Sequence, residues 1–456
     1  MTSENINAAI EALHSATAIY TAEPLVDQLL SRLNWVLDGK RLVDPSCGDG
    51  MFLTRALAHF LQKHPRDFDS VPLALQGWEI HAGACQDARD RITLQLLAAG
   101  CSGEKASSLA YKVVRHGDFL ADGPSTPTWD IIAGNPPYLR WLNVPELLRE
   151  RYKAHVPDYA SADLLHSFLD RCVQCLRPGG RIGLIVADRV LTNSNASRLR
   201  EQMGNQVAVA HVERVDVRTA FYRPKNRRSG TPPRIHPVLL VLVDKQSKDA
   251  KHSLSSAPIY PQDTSDVSCS HTTLGDYAAV RIAPWLGTKG IFQISEQISR
   301  SLPKELLVPV VDSRDVARGL FTGSVWKAIR TDPDTPPPKA VLDHLQREMP
   351  RMSRRGRRKI AWAPPESWHN WDLTLPSLLI PRVAKDLSPV RIPSGVLPIN
   401  HSISIPFETE SQRDRLEACL TSPSAKDWLT SRAPRLENGY FSISVKLLRT
   451  MPLFES

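Results

Sequence analysis

The chain has 456 residues, 42% of them hydrophobic and 23% charged, a composition typical of a folded globular protein of two or three domains. No apolar run reaches the ~18 residues of a membrane helix, no secretory signal is visible, and seven scattered cysteines argue against a disulfide scaffold. We therefore expect a cytoplasmic protein without a membrane partner, and the net charge of +9 favours an acidic partner such as nucleic acid.

Proline content divides the chain in two. Residues 1–200 hold 11 of the 36 prolines and residues 201–456 hold 25, so the second part should be loop-rich with short elements. In the first part, short apolar runs alternate with helical patterns, which predicts an α/β fold with a mostly parallel sheet. We predict strands at 41–44, 73–79, 111–115, 130–133, 181–187, 209–215 and 238–243, the last two pairing antiparallel at one edge. The domain boundary is predicted between residues 1–244 and 245–456.

The first stretch that indicates chemistry follows the first predicted strand. That strand ends at Asp44, and Pro45, Gly48 and Gly50 form a tight turn before a helix. In a doubly wound sheet, this position is the ligand crevice at the carboxyl ends of the strands, and glycines let the backbone approach a ligand closely. A turn without any ligand remains an alternative for this pattern taken alone.

Two further acids follow the next two strands. Glu79 ends the second strand, where a carboxylate can accept hydrogen bonds from ribose hydroxyls. Asp118 follows the third strand and can accept from an adenine amino group while Phe119 packs on the ring. Each acid alone could be an ordinary solvent-facing residue. Three acids at three consecutive strand ends favour a nucleoside-containing cofactor.

The motif with the most specific chemistry is Asn135-Pro136-Pro137-Tyr138, which follows a buried strand. The two prolines lack backbone donors, so the Asn135 side-chain oxygen and the Pro136 carbonyl can both accept from one amino group. Tyr138 offers a face for stacking on a planar base. This arrangement suits an exocyclic amine, whose lone pair is otherwise delocalised into its ring.

These motifs together resemble the γ-class DNA adenine-N6 methyltransferases of restriction–modification systems. The segment from Asp44 to Gly50 is similar to that family's cofactor motif, and the Asn-Pro-Pro-Tyr motif to its catalytic motif. The resemblance implies a Rossmann-like class I methyltransferase domain that binds S-adenosyl-L-methionine and flips an adenine out of double-stranded DNA. It implies no metal.

The resemblance also implies roles for individual residues. The segment from Ile19 to Pro24 is similar to the family's N-terminal motif, so Ile19 and Thr21 would contact the methionine part of the cofactor. Glu79 would bind the ribose, and Asp118 with Phe119 the adenine. Phe221 would stack on the flipped base opposite Tyr138, with Tyr222 as the second choice.

The C-terminal part resembles the family's target-recognition domain more loosely. Two basic clusters support a DNA partner, since each phosphate contact releases a counterion. They lie in residues 214–234 and in residues 351–359, and from them we select as phosphate contacts Arg227, Arg228, Arg354, Arg355, Arg357 and Arg358. Solvated loops without a DNA contact are the alternative for both clusters.

Several other functions stay open at this point. Protein glutamine-N5 methyltransferases use the same Asn-Pro-Pro-Tyr motif, cytosine-N4 methylation is chemically adjacent, and RNA adenine is a third alternative substrate. A non-catalytic DNA-binding defence component is the remaining alternative. No nuclease module is recognisable, so a cognate restriction endonuclease, if the system has one, is expected on a separate chain.

Overall fold

The protein is described by a computed structural model that covers residues 3–35, 39–222, 236–255, 257–260, 272–312, 315–316, 321, 323–400, 402–433 and 440–454. The chain forms two compact units, Met1–Asp263 and Thr264–Ser456. The boundary expected after residue 244 lies inside the first unit, because the short strand His252–Ser253 pairs with Val207–Arg214 and Leu254 is buried.

The first unit is an α/β structure. Its strands are β1 (Tyr20–Thr21), β2 (Leu42–Asp44), β3 (Leu75–Glu79), β4 (Val114–His116), β5 (Trp129–Gly134), β6 (Leu176–Ala187), β7 (Val207–Arg214), β8 (Phe221–Tyr222), β9 (Pro237–Asp244) and β10 (His252–Ser253). Its helices are α1 (Ser3–Thr17), α2 (Glu23–Leu33), α3 (Met51–Lys63), α4 (Val71–Ala74), α5 (Ala82–Ala98), α6 (Gly103–Val113), α7 (Phe119–Asp122), α8 (Glu146–Tyr152), α9 (Leu164–Cys175), α10 (Arg189–Thr192), α11 (Ser197–Gly204) and α12 (Val217–Ala220).

Eight of these strands form one sheet in the order β10-β7-β9-β6-β5-β2-β3-β4. The five adjacent strands β6, β5, β2, β3 and β4 are parallel to one another, so the predicted mostly parallel sheet is confirmed. Strands β7 and β9 pair antiparallel as expected. Strand β9 lies between β6 and β7 and is antiparallel to both, while the short β10 is outermost on that side.

The sheet is buried on both faces, which explains its uninterrupted apolar runs. Side chains alternate between the two faces of a strand. In β9, Val238, Leu240 and Leu242 accordingly join one core cluster, and Val241 and Val243 join the other. Two sequence-based strands were predicted too long, because Val71–Ala74 and Gly103–Val113 are helical. In the second of these helices, Val113 is buried in the core, whereas Tyr111 is exposed.

The second unit consists of short elements, as its proline content predicts. Its strands are β11 (Arg281–Ile282), β12 (Gln293–Ser295), β13 (Leu307–Asp312), β14 (Trp326–Ile329), β15 (Ser377–Pro381), β16 (Val383–Ala384), β17 (Val390–Ile392), β18 (Leu397–Ile399), β19 (Ser402–Pro406) and β20 (Phe441–Ser442). Its helices are α13 (Leu274–Tyr277), α14 (Glu296–Ser299), α15 (Lys339–Glu348), α16 (Glu410–Thr421), α17 (Pro423–Arg432) and α18 (Val445–Arg449).

The strands of this unit form two four-stranded sheets, β11-β19-β15-β17 and β12-β14-β13-β18, and the pair β16-β20. Trp368, which follows the second basic cluster, is 1% exposed within a core cluster, so it packs in the core and does not offer a face for base stacking. In the described ranges of both units, no helix has the length and apolar character to cross a bilayer.

Candidate active site

The carboxyl ends of β2, β3 and β4 form a cleft lined by the three acids that the sequence singles out. Asp44, Glu79 and Asp118 all line it, because adjacent parallel strands end at the same edge of the sheet. Of the other predicted cofactor residues, the structure places most in the same lining, namely Ile19, Thr21, Pro45, Gly48 and Phe119. Gly50 is outside this lining and is the N-cap residue of α3.

The glycine loop is held against the second acid. The Gly48 amide donates to Glu79 Oε2 at 2.9 Å, and the His81 amide donates to Glu79 Oε1 at 2.8 Å. Gly48 has φ +55°, a backbone conformation that disfavours residues with a side chain. A Cβ there would also lie only 2.8 Å from the Tyr20 ring, so the position requires glycine for both reasons. The loop conformation is therefore dictated by residues on both sides of the cleft.

The cleft is lined by three buried carboxyl groups. Burial raises the pKa of Asp44 to about 8, and the neighbouring Glu79 carboxylate adds to the effect. Burial likewise raises the pKa of Glu79 and that of Asp118. Carboxyls in such a site gain most from a ligand that supplies hydrogen-bond donors and positive charge.

Several buried polar atoms that line the cleft make no hydrogen bond of ordinary geometry with the described residues. They are Thr21 Oγ1, Ser46 Oγ, Trp78 Nε1 and Asp118 Oδ2. A buried polar atom without a partner is costly. Their concentration in one cleft fits a polar ligand with a hydroxylated or amine-bearing part.

An aromatic cluster forms the deep side of the cleft. The Phe119 ring lies 5.9 Å from that of Phe168 in a stacked arrangement and 6.0 Å from that of Trp78 in an edge arrangement. The Phe119 side chain is 2% exposed, and Phe168 lines the cleft from α9. The cleft thus has an apolar wall beside Asp118, which suits a heteroaromatic ring with an amino group.

The Asn-Pro-Pro-Tyr motif continues directly from β5. Asn135 and Pro137 line the cleft, and Pro136 is buried. The Asn135 Nδ2 group donates to the Ile19 carbonyl at 3.2 Å, which fixes Oδ1 as the acceptor end of the amide. Strand β5 lies close enough to β2 that a Cβ on Gly134 would be 2.5 Å from Asp44 Oδ1.

Tyr138 is turned toward Asn135. Its hydroxyl lies against Asn135 Oδ1 and 2.6 Å from the Ile185 carbonyl. Burial raises the pKa of the Tyr138 phenol far above its ordinary value, so this hydroxyl stays protonated and acts as a donor. Tyr138 itself is outside the cleft lining.

The two candidate aromatics for the second stacking position lie on β8, which pairs with β1. Phe221 is opposite Thr21 and packs against the core, and Tyr222 is opposite Tyr20. The Tyr222 hydroxyl donates to Asp49 Oδ2 at 2.5 Å. Because the Tyr222 hydroxyl is bonded to Asp49, Phe221 is the better candidate for stacking on a base. Phe221 is outside the cleft lining.

Sequence reasoning missed Asp163, which anchors the loop that carries the Asn-Pro-Pro-Tyr motif. Its Oδ1 atom accepts from the Leu139 and Leu165 amides, both at 3.2 Å, and its Oδ2 atom accepts from Arg189 Nη2 at 2.9 Å. The residue therefore ties the segment after Tyr138 to the start of α9. The signal was available, because an Asp immediately before an apolar helical run is a typical N-cap.

Helix α1 was also missed. Its residues Leu13, His14 and Thr17 line the cleft. The His14 and His81 rings stack at 3.7 Å, and His81 Nε2 lies 2.7 Å from Glu11 Oε1. Nothing in the sequence beyond an amphipathic pattern marks this helix as part of a site.

The second basic cluster contains two kinds of arginine. All four predicted contacts in this cluster are exposed, and the Arg355 guanidinium lies 5.2 Å from the centre of the Trp285 ring. Arg357 donates to the Met352 carbonyl at 3.2 Å, and Arg358 donates to the Pro365 carbonyl at 2.7 Å. The last two arginines therefore stabilise the loop that carries them. The other predicted contacts, Arg227 and Arg228, lie outside the described residues.

Comparisons with known proteins agree with this architecture. Residues 102–220 match the Eco57I restriction-modification methylase family. The chain is 28% identical over 243 residues to the type II methyltransferase M.XhoI of Xanthomonas vasicola, and 28% identical over 276 residues to M.PaeR7I of Pseudomonas aeruginosa. Over about half of its length, this chain is similar to type II methyltransferases.

The extent of these matches is limited. They cover 48% and 56% of this chain, and 44% and 47% of the two relatives, so the chain spans about half the length of the curated relatives it matches. The solved structure of the type IIL restriction-modification enzyme MmeI in complex with DNA matches 94% of this chain and 64% of MmeI, with a TM-score of 0.60 and 14% identity. That likeness extends the shared fold into the second unit, and the first unit has the class I methyltransferase fold.

Proposed function

We propose that this protein is a site-specific DNA methyltransferase that transfers a methyl group from S-adenosyl-L-methionine to N6 of an adenine flipped out of duplex DNA. Its biological role would be that of a modification enzyme in a restriction–modification system. The observation that carries the proposal is the position of Asn135, whose amide oxygen is held as an acceptor beside a cleft lined by three strand-end acids. The relationship to type II methyltransferases supports the same reaction class.

The residues of the cleft fit the proposed cofactor. The Asp44 and Glu79 carboxyls suit its cationic and hydroxylated parts, and Asp118 beside the aromatic wall suits its adenine. Ile19, Thr21, Pro45 and the glycine loop would surround the methionine part. When bound, the cofactor supplies an electrophilic methyl group.

The catalytic loop would act by positioning and electrostatics. Asn135 Oδ1 and the Pro136 carbonyl accept the two hydrogens of the target amine and draw its lone pair out of conjugation. Pro137 shapes the wall of the cleft. Tyr138 would stack on one face of the base after leaving its contact with Asn135, and Phe221 would cover the other face.

Duplex DNA would be bound through phosphate contacts. Arg354 and Arg355 of the second unit are exposed, whereas Arg357 and Arg358 are engaged with carbonyls of their own loop, so the first two are the better candidates there. Arg227 and Arg228 remain candidates from the sequence. Because phosphate contacts release counterions, binding should weaken steeply with salt.

The proposal is tested by incubating the purified protein with isotopically labelled S-adenosyl-L-methionine and mixed-sequence duplex DNA. We expect label in N6-methyladenine after the DNA is digested to nucleosides. Label in N4-methylcytosine would change the target base. Label that enters a glutamine-containing peptide but no nucleoside would overturn the proposal in favour of protein methylation.

A further inference from the structure

The turn that follows the catalytic loop presents an apolar side chain to solvent. Leu142 belongs to the short 3-10 turn Trp141–Asn143 and is 83% exposed. Exposed single leucines are common on protein surfaces. The other large apolar side chains exposed in the described part of the first unit, including Leu94 at 66%, lie on helices away from the catalytic motif in sequence.

This exposure occurs on a rigid support. The turn is closed internally by the Asn143 amide bonding to the Arg140 carbonyl at 2.8 Å and by the Val144 amide bonding to the Trp141 carbonyl at 3.1 Å. Its ends are fixed as well, because the Trp141 amide donates to the Ala162 carbonyl at 3.3 Å. A side chain on a mobile loop could fold back onto the protein, whereas Leu142 is held outward.

Neighbouring contacts extend this support to the catalytic loop. The Leu139 amide donates to Asp163, and the Leu164 amide donates back to the Leu139 carbonyl at 2.8 Å. The Trp141 ring packs at 6.2 Å from that of Tyr152, a residue of the cleft lining. The turn and the catalytic loop are therefore parts of one fixed segment.

The distance from the catalytic loop is short. Leu142 follows Tyr138 by four residues, so their Cα atoms are at most about 14 Å apart even in a fully extended chain. Arg140 and Asn143, on either side of Leu142, are exposed and polar.

We propose that Leu142 is the wedge that enters duplex DNA beside the target adenine and stabilises the flipped state, with Arg140 on a neighbouring phosphate. Insertion of an apolar side chain between base steps offsets the cost of unstacking, and a cationic neighbour positions the backbone. The inference rests on the proposed DNA substrate of the same site.

The test compares two duplexes that carry the enzyme's own recognition sequence. In one, the target adenine is opposite thymine. In the other, it is opposite an abasic site, where flipping costs less. The variants are Leu142→Ala, Leu142→Met as an apolar replacement, and Leu94→Ala as a matched exposed-leucine control on α5.

We expect Leu142→Ala to lower kcat/KM about tenfold on the paired duplex, since the wedge would offset part of an unstacking cost of a few kcal/mol. On the abasic duplex the loss should be no more than about twofold, and cofactor affinity should be unchanged. Leu142→Met and Leu94→Ala should both resemble the wild type.

Equal losses on both duplexes would overturn the wedge, since an ordinary surface contact does not distinguish them. The absence of any loss would also overturn it. A wild-type protein that methylates neither duplex would instead reject the proposed function.

Discussion

Asp44 is the residue at which burial and ligand binding are most directly linked. Its pKa is about 8 in the folded chain, against about 3.9 for an unperturbed Asp. When folding raises the pKa of a carboxyl, the folded state binds its proton more tightly than the unfolded state does. The free energy of unfolding then decreases as the pH rises between the two pKa values. Without cofactor, its contribution to stability should therefore fall as the pH rises from about 4 toward 8.

A cationic ligand should reverse this penalty by favouring the carboxylate. We predict that S-adenosyl-L-methionine binding at pH 7 releases a proton from the protein. The measurement is titration calorimetry in two buffers of different ionisation enthalpy, with Asp44→Asn as the control that should lose this release. Binding heats independent of the buffer would contradict the role given to Asp44.

Asn135 should be required for methyl transfer and dispensable for cofactor binding. Asn135→Ala removes the acceptor for the target amine but leaves the acids of the cleft in place, so we predict no detectable methylation and a cofactor Kd within a few-fold of wild type. Cofactor fluorescence titration and a label-transfer assay measure the two quantities. The matched control is Asn205→Ala, at an exposed turn, and retained turnover in Asn135→Ala would reject the assignment.

Substitutions at Tyr138 can distinguish the contribution of its ring from that of its hydroxyl. The hydroxyl lies against Asn135 Oδ1, yet the Asn135 amide is also held through Ile19. We therefore predict a mild effect, within a few-fold in kcat, for Tyr138→Phe, and a severe loss for Tyr138→Ala, which removes the stacking face. A severe Phe variant in single-turnover assays would show that the hydroxyl, and not the ring, is what the reaction needs.

At the scale of elements, two arginines of the basic loop at residues 351–359, Arg357 and Arg358, donate to nearby backbone carbonyls, and Arg354 and Arg355 are the better candidates for phosphate contacts. Neutralising Arg354 and Arg355 should flatten the salt dependence of DNA binding, with the slope falling by roughly one for each phosphate that is no longer neutralised. Arg358→Gln should instead lower the melting temperature, because it removes bonds to the Pro365 carbonyl. Equal salt slopes for wild type and the Arg354/Arg355 double variant would place the phosphate contacts elsewhere.

The elements that sequence reasoning predicted best are those with strong local signals. In β5, an apolar run is followed at once by Asn-Pro-Pro-Tyr, and β2 is followed by the glycine loop. Each pattern predicts both a strand and the candidate site residues at the end of that strand. The start of β4 was harder to predict, because the buried face of α6 supplies an apolar run that resembles a strand. The position of helix α1 at the cleft and the contacts of Asp163 with Leu139 and Arg189 could not be predicted, since they join residues distant in sequence.

At the scale of the whole molecule, the two units differ in how far sequence explains them. The first follows the alternation of strand and helix, so its mostly parallel sheet and the cleft at the strand ends could be anticipated. The second is built from strands of two to six residues interrupted by prolines, and neither unit can be assigned a recognition sequence from these elements. The likeness of the chain to MmeI is one of fold.

The central claim is adenine methylation at a specific DNA sequence. The most direct test is to express the chain in a host that lacks adenine methylation and to sequence that host's DNA by a single-molecule method sensitive to modified bases, with Asn135→Ala as the matched control. We predict N6-methyladenine at one short sequence motif in cells with the wild-type chain and none in cells with the variant. Unmodified adenine from well-expressed, folded wild-type protein would contradict the claim.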